Sequence, residues 1–386
     1  MQEYNTIIGK LLSGINRKQF KRIVDKYSGD RYVKYFNCWS QFVCIFIGQV
    51  GNFTSLREIV DAINFQPQNQ YHLGIKKNIS RTTLAESNEK RDWKIYKDLF
   101  IHLISKLKNS NIYKTSEMIQ VIDSTPINLK LTQHPWIETT LKVKGLKTHV
   151  VYDLTNKTPV LFDITGARTN DITWSKTMKL EKGITYVMDR GYTDYNWWYE
   201  INEKSSFFVT RLKKDAKIEN LTEQQSTSEG ISSQIFILTN RNTRGRTINK
   251  YANIPLRKVI VEQEKNKRPL VLVTNDFSRS NEEIAELYKQ RWQIELFFKW
   301  IKGNLKIKKF LGKNENAIRT QICIAMISFV LLRIAEELKT ICSEISTKNL
   351  LKIIGNSLFN CLKLRNYGRK RYKNPNQLQF EWILAS

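Results

Sequence analysis

At Met118 the periodicity of the chain changes, and that change limits the architectures open to it. Before it, apolar residues recur at helical spacing: Arg17–Tyr27, Cys38–Gly48, Ser55–Phe65 behind a Ser N-cap, and Asp92–Lys108. Ser80–Asn88 reads as a short helix, and Gln66–Gly74 as a turn-rich break. After it come short β-like runs: Met118–Asp123, Lys147–Leu154 and Pro159–Thr165, the last two separated by a turn at Thr155–Thr158. A short helix at Asp171–Lys179 follows, then a strand at Ile184–Asp189, a helix at Tyr195–Lys204 capped by Asp194, and a strand at Ser206–Arg211. Strands in that order with interspersed helices predict a mixed sheet flanked by helices. Lys213–Lys267 is polar with β-like pieces at Gln234–Leu238 and Lys258–Glu262, a β-rich insertion at about 212–268. Pro269–Thr274 returns as a strand, one long helix runs from Asn281 to about Lys302, and the rest is helical, from Asn314 to about Lys339 and over Lys348–Leu362. The expected domains are a helical unit at 1–115, an α/β core at 116–310 with its insertion, and a basic helical region at 311–386.

Charge narrows the partner. The chain has 63 Lys and Arg against 36 Asp and Glu, a formal charge of +27. The excess is spread: residues 1–120 hold 19 basic and 10 acidic side chains, and residues 303–386 hold 15 and 5. The segment Lys363–Lys373 is especially basic. Such a charge repels itself, and a polyanion that exchanges its counterions for Lys and Arg relieves it. Nucleic acid is the expected partner, with contact to the N-terminal region, where two short helices around a turn suit a helix-turn-helix reader.

Five scattered cysteines, Cys38, Cys44, Cys323, Cys342 and Cys361, form no CxxC pair, so neither a zinc site nor a disulfide framework is expected. Cys38, Cys44 and Cys323 read as core residues. The N-terminus is not a signal peptide, and the longest apolar run, Ile322–Leu332, is too short to span a bilayer. A cytoplasmic protein without a membrane partner is expected.

The candidate chemistry lies in three acids. Asp123 closes a strand in VIDST and Asp189 closes another in VMDRG, and strand ends are where α/β sheets expose ligand-binding groups. Taken singly, each reads as well as a turn-former or cap. The third element is Glu295 in the pattern Y-x2-R-x3-E-x6-K, formed by Tyr288, Arg291, Glu295 and Lys302. On one continuous helix these four fall within about a 60° stripe, with Lys299 close by and Ile294, Phe297 and Ile301 opposite. One face is apolar; the other sets one acid among phosphate-seeking groups. Two metals about 4 Å apart would stabilise the attacking and leaving oxygens of phosphodiester exchange. Mg²⁺ suits three carboxylates, with Asp123 bridging. Arg291, Lys302, Lys299 and Tyr288 would hold phosphates. Trp292 either lines the site or packs in the core. Lys147 and His149 face the rim from one strand, as DNA contacts or as a structural polar pair. Ser124 and Thr125 read as local hydrogen-bonders.

The intact Y-x2-R-x3-E-x6-K pattern, with Asp123 in IDST, Asp189 in MDRGYTDY and the stretch RWQIELFFKWIK, resembles the insertion-sequence-four family of DDE transposases. The N-terminal stretches DRYVKYFNCWSQ, TSLREIV and HLGIKKNISRTTL resemble the N-terminal domain of one bacterial branch, and the likeness runs from Arg17 to about Leu332. The resemblance implies a ribonuclease-H-like core with catalytic, metal-binding Asp123, Asp189 and Glu295. It implies two Mg²⁺ ions, for which Mn²⁺ substitutes, and cut-and-paste movement of double-stranded DNA by a homodimer. Relatives stack a flipped base on a Trp; no Trp lies between Trp198 and Trp292, so the insertion supplies none and this chain departs from that pattern, with Trp292 a base-stacking candidate outside the insertion that reads equally as a core residue. A metal-dependent nuclease that cuts without joining and a silent DNA-binding regulator are the rival readings.

Overall fold

The computed structural model describes residues 6–360, apart from 142, 229, 244–246, 264–267, 306, 308–309 and 339–346. The basic tail Lys363–Lys373, Cys342 and Cys361 lie outside the described residues.

Seven helices open the chain: α1 Ile7–Leu12, α2 Arg17–Lys26, α3 Cys38–Val50, α4 Leu56–Asn64, α5 Pro67–His72, α6 Arg81–Lys90 and α7 Lys94–Lys108. Side-chain caps begin several of them: Asn16, Asn37, Ser55 and Ser80 each accept a backbone N–H of the first turn. The expected break at Gln66–Gly74 is instead the helix α5. Pro67 stands in its first turn, where a missing N–H costs nothing.

Four strands follow: β1 Ile119–Asn128, β2 Glu138–Thr139, β3 Lys144–Asp153 and β4 Thr158–Gly166. Next come α8 Asp171–Ser175, β5 Thr185–Met188, a single 3₁₀ turn at Arg190–Tyr192, α9 Tyr195–Glu203 and β6 Phe207–Arg211. Then come β7 Ile218–Asn220, β8 Gln225–Ser228, β9 Ile231–Leu238, β10 Leu256–Val261 and β11 Leu270–Thr274. Helices α10 Asn281–Gln290, α11 Trp292–Asn304, α12 Glu315–Glu337 and α13 Thr347–Ser357 complete the described chain.

The chain divides into two compact units. One comprises residues 1–113, 127–137 and 299–386; the other comprises 114–126 and 138–298. The N-terminal helices and the C-terminal helices, separate in the sequence reading, thus fall in one unit. Its centre is apolar: every residue of α3 is buried, and α12 packs against α1, α3, α6, α7 and α13. A Cβ on Gly48 would stand 2.5 Å from Ile59 Cδ1, so glycine there lets α3 and α4 close together. Helix α12, at 23 residues, is long and apolar enough to cross a bilayer, which corrects the shorter apolar run read from the sequence. Its side chains from Ala317 to Ala335 are buried except Arg319, as in the core helix of a globular unit. Cys38, Cys44 and Cys323 are buried and form no disulfide among the described residues. His134 and Trp136 both reach the Lys313 carbonyl at 2.8 Å, a structural role for the histidine.

The second unit is built on a mixed sheet in the order β2-β3-β1-β5-β6-β11-β10-β9-β7, with β4 beside β3 and β8 beside β9. At its centre β5 runs parallel to both β1 and β6. All four residues of β5 are buried, as expected of a parallel strand covered on both faces. The β-rich insertion is not a separate layer. Its strands β9 and β10 continue the sheet beyond β11, which is antiparallel to β6. Tyr251, within that segment, is buried in the same core as Trp198 and Phe208 and presents no ring to solvent. Trp198 stacks on Phe208 at 4.8 Å between centroids, joining α9 to β6.

The entry to α10 carries a full capping box: Ser280 Oγ accepts the Glu283 N–H, and the Glu283 carboxylate accepts the Ser280 N–H. Ser280→Ala should lower stability by about 1 kcal/mol, read as a shift in the urea midpoint followed by circular dichroism.

Candidate active site

The parallel register of β1 and β5 sets two of the acids side by side. The ladder pairs Ile119 with Thr185 and ends with Ile122 opposite Met188. The next residue on each strand is an aspartate, Asp123 and Asp189. Asp189 follows the last residue of its strand, as expected. Asp123 does not close its strand, because β1 continues to Asn128; it stands where the pairing with β5 stops. The physical consequence is the same, since both side chains emerge at the end of a hydrogen-bonded ladder.

Each aspartate is oriented by the backbone that follows it. Asp123 Oδ1 accepts the Ser124 N–H at 2.8 Å. Asp189 Oδ1 accepts the Gly191 N–H at 2.7 Å and so caps the 3₁₀ turn at Arg190–Tyr192. A Cβ on Gly191 would lie 2.9 Å from that same oxygen, closer than real Cβ atoms stand. Glycine is therefore needed for the carboxylate to fold back on its own backbone. The Asp189 carbonyl also accepts the Thr210 hydroxyl of β6 at 3.0 Å.

The third acid arrives on a helix that is not continuous. Instead of one helix from Asn281 to Lys302, α10 ends at Gln290 and α11 starts at Trp292. Arg291 sits at the junction with φ −49° and ψ −31°. The Arg291 N–H reaches the Tyr288 carbonyl and the Ile294 N–H reaches the Arg291 carbonyl, both three-residue spans that tighten the helix there. Because Arg291 keeps near-helical angles, it still meets Glu295 four residues on: Nη2 donates to Oε1 at 2.6 Å. Its Nη1 stands 3.8 Å from Asp123 Oδ2. One guanidinium therefore bridges the first and third acids. Ile294, Phe297 and Ile301 are buried, so the apolar face is the expected one.

The remaining sequence candidates fall in three places. Tyr288 is half-buried with Arg291 Cζ 5.9 Å from its ring centroid, and burial pushes its phenol above the usual value, so it stays a proton donor. Trp292 is 56% exposed, which removes the core-packing reading and leaves its ring open beside the exposed Leu296. Lys299 and Lys302 lie one and two turns beyond Glu295, in the part of α11 that belongs to the helical unit.

Electrostatics bind the three acids together. The Asp123 carboxyl is pushed up to about 7, chiefly by burial and in lesser part by the charges of Asp189 and Glu295, against the Ser124 N–H and Arg291, which lower it. The site thus lacks positive charge even with Arg291 in it. Among the described residues no three His, Cys, Asp or Glu side chains are gathered as a ready-made metal cage. The acids are near enough to feel one another, yet Glu295 is turned onto Arg291. The donor set is hard carboxylate oxygen, which fits a divalent cation of the Mg²⁺ type once Glu295 leaves Arg291.

A polar group behind Asp123 was not read from the sequence. Ser124 Oγ donates to Asp171 Oδ1 at 2.8 Å, so Ser124 links Asp123 to a residue of α8. Lys147 Nζ lies 3.3 Å from the same carboxylate oxygen and 3.0 Å from the Thr169 carbonyl. His149 is fully buried, stacked on Trp174 at 4.7 Å and hydrogen-bonded to the Thr165 hydroxyl at 2.8 Å. Burial lowers its pKa to about 4, so it is neutral at physiological pH. Lys147 and His149 are thus interior members of this group, not an exposed rim. The alternation of Lys147 and His149 on β3 was a visible signal; their convergence on Asp171 was not.

Residues 114–331 match the family "Transposase DDE domain", and residues 3–76 match "Domain of unknown function (DUF4372)". The "Putative transposase y4zB" of Sinorhizobium fredii is 39% identical over 260 residues, which is 67% of this chain and 72% of that protein. The "Putative transposase for insertion sequence element IS4SA" of Synechocystis is 27% identical over 335 residues, 84% of this chain and 88% of that one. A piggyBac transposase solved as a synaptic complex with hairpin DNA aligns with a TM-score of 0.46 at 13% identity, covering 100% of this chain and 87% of that one. The matched domain contains Asp123, Asp189 and the whole Tyr288–Lys302 pattern. The chain belongs to the DDE transposases, of the insertion-sequence-four type, enzymes that act on DNA and generally use divalent metals.

The raised Asp123 pKa gives a stability test. Above about pH 7 the folded protein must hold a buried charge there, whereas the unfolded chain ionises near 4, so the folded state loses stability as pH rises from about 4 to 7. Asp123→Asn should raise the melting temperature of metal-free protein at pH 8. Below about pH 4, where Asp123 is neutral in both the folded and the unfolded chain, the same substitution should change it little.

Proposed function

We propose that this protein excises and inserts its own DNA element, and that Asp123, Asp189 and Glu295 are its metal-binding catalytic acids. The observation that carries the reading is the juxtaposition of Asp123 and Asp189 at the end of the β1–β5 ladder, with Glu295 tied to Asp123 through Arg291. The antiparallel β3–β4 hairpin beside the parallel β1–β5–β6 group supports a ribonuclease-H-like core. The residues preceding it form a helical DNA-binding region, with the basic C-terminal helices alongside in sequence terms.

Two Mg²⁺ ions, or Mn²⁺ in their place, supply Lewis-acid stabilisation of the attacking and leaving oxygens. Asp123, Asp189 and Glu295 would hold the ions, Asp123 as the shared ligand with its carboxyl deprotonated. Arg291, released from Glu295, and Tyr288 hold non-bridging phosphate oxygens, with Lys299 and Lys302 on the phosphates that follow. Trp292 offers its open ring for a displaced base to stack on. In the first step a water oxygen attacks phosphorus at the terminal inverted repeat, the P–O3′ bond breaks, and the 3′ oxygen takes up a proton. In the second, that 3′ hydroxyl attacks another phosphorus and one 3′ oxygen replaces another, with no net consumption of water. A homodimer pairs the two ends of the element, and the protein works in the bacterial cytoplasm on the nucleoid.

The test is nicking of a labelled duplex carrying the inverted repeat that flanks the gene, with Mg²⁺. Asp189→Asn and Glu295→Gln should each lower nicking at least about 100-fold, some 2.7 kcal/mol in the barrier, while duplex binding persists. Cleavage without any joined product would make the protein a nuclease. Binding by an assembled dimer with no nicking at all would make it a silent regulator.

A further inference from the structure

The helical unit carries a feature that the acidic site does not use. Between the segment after α2 and the segment entering α6 lies a cleft of about 370 Å³. Val33, Phe36, Ile75 and Ile79 form the apolar part of its wall, and Ser40, Asn78, Ser80 and Thr83 the polar part. Its rim is basic: Lys34, Lys76 and Lys77 line it and are exposed. Among the described residues no acidic side chain lines the cleft, and none stands at ion-pair distance from these three lysines. Three unneutralised cations at one opening repel one another, and an anion relieves that.

Aromatic rings stand at the same place. Tyr35 lines the cleft, is 54% exposed, and has Lys77 Nζ 3.9 Å from its ring centroid. Tyr32, three residues earlier, is 87% exposed, with Arg31 Cζ 4.9 Å from its ring. It holds φ +62°, a left-handed backbone that a bulky aromatic residue seldom adopts.

A rigid duplex would use the lysines alone, because its bases are stacked on one another and offer no face. An unpaired strand uses all three elements: phosphates for the cations, a base face for the tyrosine ring, and a flat apolar body for the cleft. We infer that this cleft binds an unpaired stretch of a DNA strand, with a base against Tyr35 and the flanking phosphates on Lys34, Lys76 and Lys77. The inference takes from the proposed function only that DNA is the substrate.

The test uses the full chain without divalent metal, so that nothing is cut. Fluorescence anisotropy measures affinity for a short labelled oligothymidine and for a duplex of equal length over a series of salt concentrations. Tyr35→Ala should weaken oligothymidine binding roughly 5- to 150-fold and leave duplex binding within about twofold. Tyr35→Phe, which keeps the ring, should bind as the parent does. Lys76→Gln with Lys77→Gln should lower the log–log salt slope for the oligothymidine by about 1.4, since each single-strand phosphate contact contributes about 0.7. Equal losses on both DNAs with Tyr35→Ala, no loss at all, or an unchanged salt slope would overturn the inference. Binding of the duplex alone would also overturn it and leave the proposed function standing, because nicking reports on that separately.

Discussion

Three carboxylates drawn toward one another repel, and the structure is arranged around containing that repulsion. Arg291 does so by bridging Glu295 and Asp123, and the backbone N–H groups of Ser124 and Gly191 do so by each donating to one carboxylate oxygen, of Asp123 and Asp189. The containment is incomplete, as the elevated Asp123 pKa records. That shortfall makes the site hospitable to a divalent cation, because added positive charge is worth most where burial has already weakened the shielding of water. Under the proposed function, Arg291 would exchange its contact with Glu295 for one with a phosphate when a metal binds.

The sheet supplies the rigidity this needs. Asp123, within β1, and Asp189, just after β5, stand where the buried parallel ladder ends, so their backbones cannot drift apart without breaking it. Behind them the Ser124–Asp171–Lys147 group holds β1 to α8 through hydrogen bonds in a half-buried setting, where each is stronger than in water. Glu295, by contrast, comes from a helix whose turn tightens at Arg291.

Much of the architecture was legible in the sequence, for reasons that can be named. Ser55, Asp194 and Asn314 announced helix starts because a side-chain oxygen at the cap needs only its own neighbours. The strands Ile184–Asp189 and Ser206–Arg211 were legible because buried parallel strands are continuous apolar runs. Two local readings failed. Gln66–Gly74 was taken for a turn because of its polar residues, although Pro67 is a favourable first helical residue. The helix from Asn281 was drawn straight, because a wheel assumes constant angles and cannot register a single tightened turn at Arg291.

The sequence by itself determined the identity of the chemistry: two acids after apolar strands and the Tyr288, Arg291, Glu295 and Lys302 spacing, all of which depend on residues a few positions apart. Tertiary structure alone decided which distant groups meet. It brought Asp123 beside Asp189 across the β1–β5 ladder, drew Lys147 and His149 inward to Asp171, buried Tyr251 and left Trp292 open. It also joined the inserted strands to the main sheet and placed the N-terminal helices α1–α7 and the helices α12 and α13 in one unit. Register, burial and long-range pairing are properties of the packed chain, since each depends on residues separated by tens to hundreds of positions, and no local pattern encodes them.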